Sequence, residues 1–235
     1  KEDKLENVSI WKDRMIALII FMVINISFWA CFEQAGTSLT LFADRNVDRF
    51  IFGWEMPASM TQFFNPFFII LFGSIFSVMW VKLSKIGKNP SIPLKFCFGI
   101  VQLALGFLLT QVGFQFVNEA YQVPILTLVF LYMLHTTGEL FLSPIGLSMV
   151  TKLSPKSMAG TAMGAWFLSF AIANYVGGKI AALTGGHGGG EVTSAEDGLL
   201  QYLDTFATIG YVLLAIAALI FVLNKPIQKL MHGVE

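Results

Sequence analysis

Six stretches of about 20 or more mostly apolar residues occupy nearly the whole chain, at about 14–43, 57–81, 92–116, 122–151, 158–183 and 202–224. A helix needs about 20 such residues to cross the hydrocarbon of a bilayer. Inside it, every backbone polar group must be satisfied within the protein. The chain is therefore read as an all-α membrane protein of six transmembrane helices, and the lipid bilayer is its first partner. Composition agrees, because 55% of the 235 residues are hydrophobic and only 13% are charged, against about 25% charged in soluble domains. Lys+Arg and Asp+Glu number 15 each, so no net field draws the chain to nucleic acid. Cys31 and Cys97 lie inside apolar runs without CxxC spacing and read as small core hydrophobes.

Charge placement sets the organisation. Residues 1–13 read as a cytoplasmic linker, 14–224 as the six-helix bundle and 225–235 as a cytoplasmic tail. The charged start has no apolar core ending in small residues, so it is not a signal peptide. Without an initiator Met, it is expected to continue from a preceding segment. Lys1, Lys4, Lys12 and Arg14, then Lys82, Lys85, Lys88 and Lys95, then Lys152 and Lys156, then Lys225 and Lys229 fall on one side, whereas the opposite loops hold Arg45 and Arg49. By the positive-inside rule both ends are cytoplasmic, in a plasma or inner cell membrane. The first and fourth spans approach 30 residues, which implies tilt, bending or protrusion. The loop 44–56 mixes Asp44, Arg45, Asp48 and Arg49 with apolar residues and is expected to form a short surface helix. The loop 184–201 contains Gly185, Gly186, His187, Gly188, Gly189 and Gly190. It lacks the Lys-Ser/Thr of a phosphate loop and reads as a flexible linker.

Three ionisable residues, Glu33, Glu139 and Lys179, fall within the apolar depth, where each costs about 3 kcal/mol facing lipid. Glu139 lies near the middle of the fourth span, with His135 and Ser143 one turn to either side on one face. A carboxyl stripped of water there is a natural proton acceptor or a seat for an ammonium group. Pairing with His135 or another helix is the structural alternative. Glu33 follows Trp29 by one turn and precedes Gly36 to Ser38, a pattern suited to a flexible gate helix or, more plainly, to an interfacial anchor. Lys179 is placed to snorkel towards the headgroups. Gln62 and Asn65 are spaced i, i+3, and Asn65-Pro66 is expected to free a carbonyl in mid-helix. Pro144, beside Ser143, is expected to bend the fourth span at the depth of Glu139. Trp166 and Phe167, with the small residues Ser169, Ala173 and Gly177, suit either packing or a pocket wall.

Three motifs stand in order: Phe-Trp-Ala-x-x-Glu-Gln-x-Gly at 28–36, Gln-x-x-Asn-Pro-x-x-Ile at 62–69, and Gly-Glu-Leu-Phe-Leu-Ser-Pro-Ile-Gly-Leu-Ser-x-x-x-Lys-Leu-Ser-Pro at 138–155. Together they resemble the proton-coupled oligopeptide transporter family of the major facilitator superfamily. The resemblance covers nearly the whole chain and corresponds to the C-terminal six-helix half of that twelve-helix fold. It implies uptake of di- and tripeptides by alternating access, with protons as the coupling ion and no other cofactor. It also implies a partner, the N-terminal six-helix half. Glu139 is similar to the glutamate that receives the peptide's ammonium, Asn65 to the amide that bonds the peptide backbone, and Glu33 to the seventh-helix acid of proton coupling and the outer gate. Trp166 and Phe167 resemble aromatics lining side-chain pockets, and Ser143 a polar neighbour of the ammonium site. Gln62 and Trp29 join them as substrate-binding candidates, with Glu139 assigned to proton coupling as well. His135 matches no functional residue.

Rival readings have their own signatures. An intramembrane metalloenzyme would use His135 and Glu139, but these are two ligands where catalytic zinc takes three from the protein. No metal site and no enzyme activity is expected. A non-transporting sensor or assembly subunit would hold its carboxyls paired in a dry interior. An anion carrier of the same fold is disfavoured because Glu139 repels its substrate.

Overall fold

The computed structural model describes residues 2–184 and 194–234, with side chains over 8–183 and 194–234. The glycine run read as a linker, with His187 and Glu191, lies outside the described residues. Six apolar helical spans are present at Val8–Asn46, Ala58–Lys85, Ile92–Phe114, Ile125–Leu153, Lys156–Leu183 and Ala195–Met231.

The first span is broken. Helix α1 (Glu2–Phe32) passes into a 3-10 turn, Glu33–Gly36, and the chain restarts as α2 (Ser38–Asn46). Residues 2–13 are thus helical and continuous with the span. The break is held by Gln34, fully buried, whose amide donates to Ala30 O at 2.9 Å and Gly177 O at 3.0 Å. Its carbonyl accepts from Ser38 Oγ at 2.7 Å. Groups freed where the helix stops are therefore satisfied without water, as burial demands.

After α2 the expected surface helix is absent. Val47–Asp48 (β1) pairs in parallel with Val123–Pro124 (β4), and Phe50–Ile51 (β2) forms an antiparallel hairpin with Trp54–Glu55 (β3). Val, Phe, Ile and Trp favour an extended backbone. Phe52 and Gly53 both take positive φ, 50° and 85°, as a tight hairpin turn requires. Arg49 staples the base, pairing with Glu55 at 2.9 Å and Asp44 at 3.5 Å and donating to Met56 O.

A 3-10 segment, Ala58–Phe63, leads into α3 (Phe64–Lys85). The expected loss of a mid-helix bond at Pro66 is corrected by this boundary. Pro66 lies in the first turn of the α-helix, where its missing N–H costs little. Pro144, by contrast, is interior to α5 (Ile125–Leu153). Helices α4 (Ile92–Phe114), α6 (Ala159–Thr184) and α7 (Ala195–Met231) complete the bundle. Ser194 caps α7 by accepting from Asp197 N, with Glu196 and Asp197 in the positive first turn.

α4 is the centre, packed against α5 and α7, while α1 packs on α6 and α3 on α5. Gly99, Gly106 and Gly113, seven residues apart, face Gly138 and Leu142, His135, and Thr127 of α5 in turn. Small residues at this spacing let two helix backbones approach along a seam. α3 buries only Phe68, and α6 exposes Phe167, Leu168, Ile172 and Tyr175.

Candidate functional site

Asn65, in the first turn of α3, faces α5 at Thr136 and Glu139, which are one turn apart. Its Nδ2 donates to Glu139 Oε2 at 3.0 Å and to Thr136 Oγ1 at 3.1 Å. Glu139 is half-buried, and Thr136 is wholly buried. Neither Glu139 nor Glu33 belongs to an ion pair among the described residues. Glu33 stands half-buried in the 3-10 turn after α1. A carboxyl and an amide from different helices thus meet with no ion-pair partner among the described residues.

Gln62 sits one turn before Asn65, is exposed, and donates to Thr40 Oγ1 at 3.0 Å, tying α2 to the entry of α3. Ser143 has a buried hydroxyl with no hydrogen-bond partner among the described residues. It lies four residues from Glu139, just before Pro144. Trp29 is half-buried, packed edge-on or tilted against Phe28, Phe32 and Phe170, and donates through Nε1 to Asn25 Oδ1 at 3.1 Å. Trp166 is 2% exposed and packs against Gly146 of α5, whereas Phe167 is 57% exposed on α6. The two neighbouring aromatics therefore differ, Trp166 packed inside the bundle and Phe167 exposed on its surface. Lys179 is exposed and rests over Tyr175 at 5.5 Å, in line with a snorkelling side chain.

His135 does not join this group. It is 1% exposed, wedged against Gly106 with its ring 4.7 Å from Phe107 and 6.3 Å from Phe32. The described residues contain no group of three or more His, Cys, Asp or Glu able to hold a metal. A groove of about 620 Å³ runs along Ser74, Ile75, Val78, Met79, Lys82 and Leu83, but it is apolar and lies down α3 from Asn65, away from the carboxyls.

Sequence reasoning missed Thr136 and Asn25. Asn25 is 2% exposed; it accepts from Trp29 and donates to Ser169 Oγ at 2.9 Å, joining α1 to α6. An amide inside the apolar run of the first span is the sequence signal that could have found Asn25. Asn25→Leu leaves the Trp29 indole N–H without its acceptor, at a cost of about 1–3 kcal/mol. The expected results are a lower Tm and a shifted Trp29 emission; an unchanged spectrum contradicts the assigned contact.

The sequence profile of the PTR2 group, the POT family, matches residues 6–190. The chain belongs to the POT family. It is 37% identical over 224 residues to "Peptide transporter YePEPT" of Yersinia enterocolitica subsp. palearctica serotype O:3 (strain YE-P4), covering 94% of this chain and 42% of that protein. It is 33% identical over 234 residues to "Uncharacterized transporter YclF" of Bacillus subtilis (strain 168), covering 100% and 43%. "Dipeptide and tripeptide permease A" of Yersinia pestis is 36% identical over 213 residues, with coverage of 91% and 42%. Among solved structures, a peptide transporter POT in complex with sulfate superposes with a TM-score of 0.81 at 32% identity, over 96% of this chain and 42% of that one. A POT family transporter in complex with 5-aminolevulinic acid gives 0.78 at 28% identity, over 92% and 42%. The chain spans less than half the length of these relatives. Its six spans have the helical fold of major facilitator transporters, its place is in a membrane it crosses several times, and its relatives are transporters rather than enzymes.

Proposed function

We propose that this chain supplies half of the central peptide site of a di- and tripeptide transporter, working with an N-terminal six-helix half. The observation that carries this reading is the half-buried carboxyl of Glu139 in the fourth span, hydrogen-bonded by Asn65 and in no ion pair among the described residues. A carboxyl there accepts the ammonium that every unblocked peptide carries, through charge-assisted hydrogen bonds. Asn65, whose side-chain carbonyl accepts no hydrogen bond among the described residues, serves the peptide backbone. Trp29, Trp166 and Phe167 belong to the walls that admit varied side chains, and Ser143 and Gln62 are polar neighbours. Recognition then reads the ends and backbone of the peptide and tolerates its side chains.

Transport follows by alternating access, the two halves rocking about a midplane site. Protons are the coupling ion, no other cofactor is required, and Glu33 and Glu139 are the groups that carry them. A proton on either carboxyl changes the charge between the halves and so biases one orientation. The protein is placed in the cell membrane with both ends of this segment cytoplasmic, as the loop lysines favour. The absence of ion pairs at Glu33 and Glu139 among the described residues favours a ligand seat over a purely structural subunit.

The test compares a dipeptide with its N-acetylated form in the full-length transporter. Losing a charged hydrogen bond of about 1.5–3 kcal/mol weakens binding about tenfold to a hundredfold. Equal affinity for the two ligands overturns the reading.

A further inference from the structure

Asn65 spends both hydrogens of its one NH2 group on α5, at 3.1 Å to Thr136 Oγ1 and 3.0 Å to Glu139 Oε2. Its own Oδ1 accepts no hydrogen bond among the described residues, and the residue is half-buried. An ionised carboxylate has no hydrogen to give, so it dictates that nitrogen faces it. A hydroxyl both gives and accepts. If a proton arrives on the Glu139 oxygen that faces Asn65, the pair becomes two donors in opposition. Turning the amide over relieves this: Oδ1 then accepts from the Glu139 O–H and from the Thr136 O–H, using its two lone pairs.

We propose that Thr136 is a positioning residue whose two-way hydroxyl lets the Asn65 amide turn over as the proton on Glu139 comes and goes. The amide then offers open space a carbonyl acceptor when Glu139 is charged and an NH2 donor when it is protonated. The peptide meets a different partner in each state, which links proton occupancy to peptide binding at one side chain. The proposal rests on Glu139 as the ammonium and proton site.

Among the described residues, few charges stand near this group. Glu33 stands in the turn after α1. His135 is enclosed by Phe32, Gly106 and Phe107. Lys82 and Lys85 end α3, Lys95 stands in the first turns of α4 over Trp80, and Lys179 lies over Tyr175 on α6. Lys152 is about 20 Å down α5 from Glu139, at 1.5 Å per residue.

The experiment uses the full-length transporter with Thr136→Val, which keeps the shape and removes the hydroxyl, and Thr136→Ser, which keeps the hydroxyl. Dipeptide KM and Vmax are measured across pH, and isotope-edited infrared difference spectra follow the asparagine amide through a pH step. Wild type and Thr136→Ser are expected to show an amide response that Glu139→Gln abolishes. Thr136→Val leaves the amide held by one hydrogen bond in either orientation, so it is expected to weaken and blur that response, to flatten the pH profile of KM and to raise KM about fivefold with Vmax little changed. A wild-type response in Thr136→Val, or equal damage in Thr136→Ser, overturns the proposal. Loss of free-amine preference in Glu139→Gln alongside a silent Thr136→Val overturns this inference alone. Retained preference in Glu139→Gln overturns the reading beneath it.

Discussion

Gly138→Val is expected to destabilise the bundle by about 3 kcal/mol or more, the upper range for overpacking a core. A Cβ at this position falls 2.7 Å from the backbone carbonyl oxygen of Gly99. Backbone cannot step aside as the end of a flexible side chain does, so α4 and α5 must part. Parting them opens the Gly106 to His135 and Gly113 to Thr127 contacts along the same seam, and α4 also carries α7. Thermal unfolding in detergent reads the loss as a large fall in Tm or as failure to accumulate folded protein. Gly164→Ala on α6 is the control, since nothing lies within 4 Å of its added Cβ, and its Tm is expected to stay put. A Gly138→Val protein as stable as wild type means that the seam is not closed as described.

Glu139→Gln has the largest expected effect on ligand binding. Glutamine matches glutamate in size, and its amide oxygen still accepts from Asn65 Nδ2, so the fold and the contact at 3.0 Å are preserved. The charge is removed. If that charge holds the peptide's ammonium, dipeptide affinity falls by about tenfold to a hundredfold, the value of a hydrogen bond to a charged group. Equilibrium binding in detergent or nanodiscs measures this apart from any effect on proton movement. A folded Glu139→Gln protein that binds dipeptide as wild type does removes Glu139 from the site.

The spans were legible because a bilayer crossing needs a long apolar helix and nothing else in the chain competes with that pattern. What the helices do sideways was not. Their apolar residues run all round, so the sequence carries no facial signal to say which side meets a neighbour. Hence the seam of Gly99, Gly106 and Gly113, and the burial of His135 in it, emerged only with the fold. His135 shares its nominal face with Glu139 by spacing, yet the close approach of α4 at Gly106 encloses one and leaves the other half-open. The hairpin at 50–55 was missed because mixed charge suggested a helix, while the β-forming residues and the Phe52-Gly53 turn decided otherwise. Asn65 and Glu139 were each conspicuous as polar residues in apolar spans. That they touch, and that Thr136 completes the group, depends on the packing of α3 on α5, which no local spacing encodes.

The most direct test pairs two changes. Affinity for a dipeptide with a free amine and for its N-acetylated form is measured in wild-type and Glu139→Gln full-length transporter, giving four binding constants. An ammonium seated on Glu139 predicts that the free-amine advantage seen in wild type vanishes in Glu139→Gln, with a coupling close to the full single effects. An advantage of the same size in both proteins contradicts it.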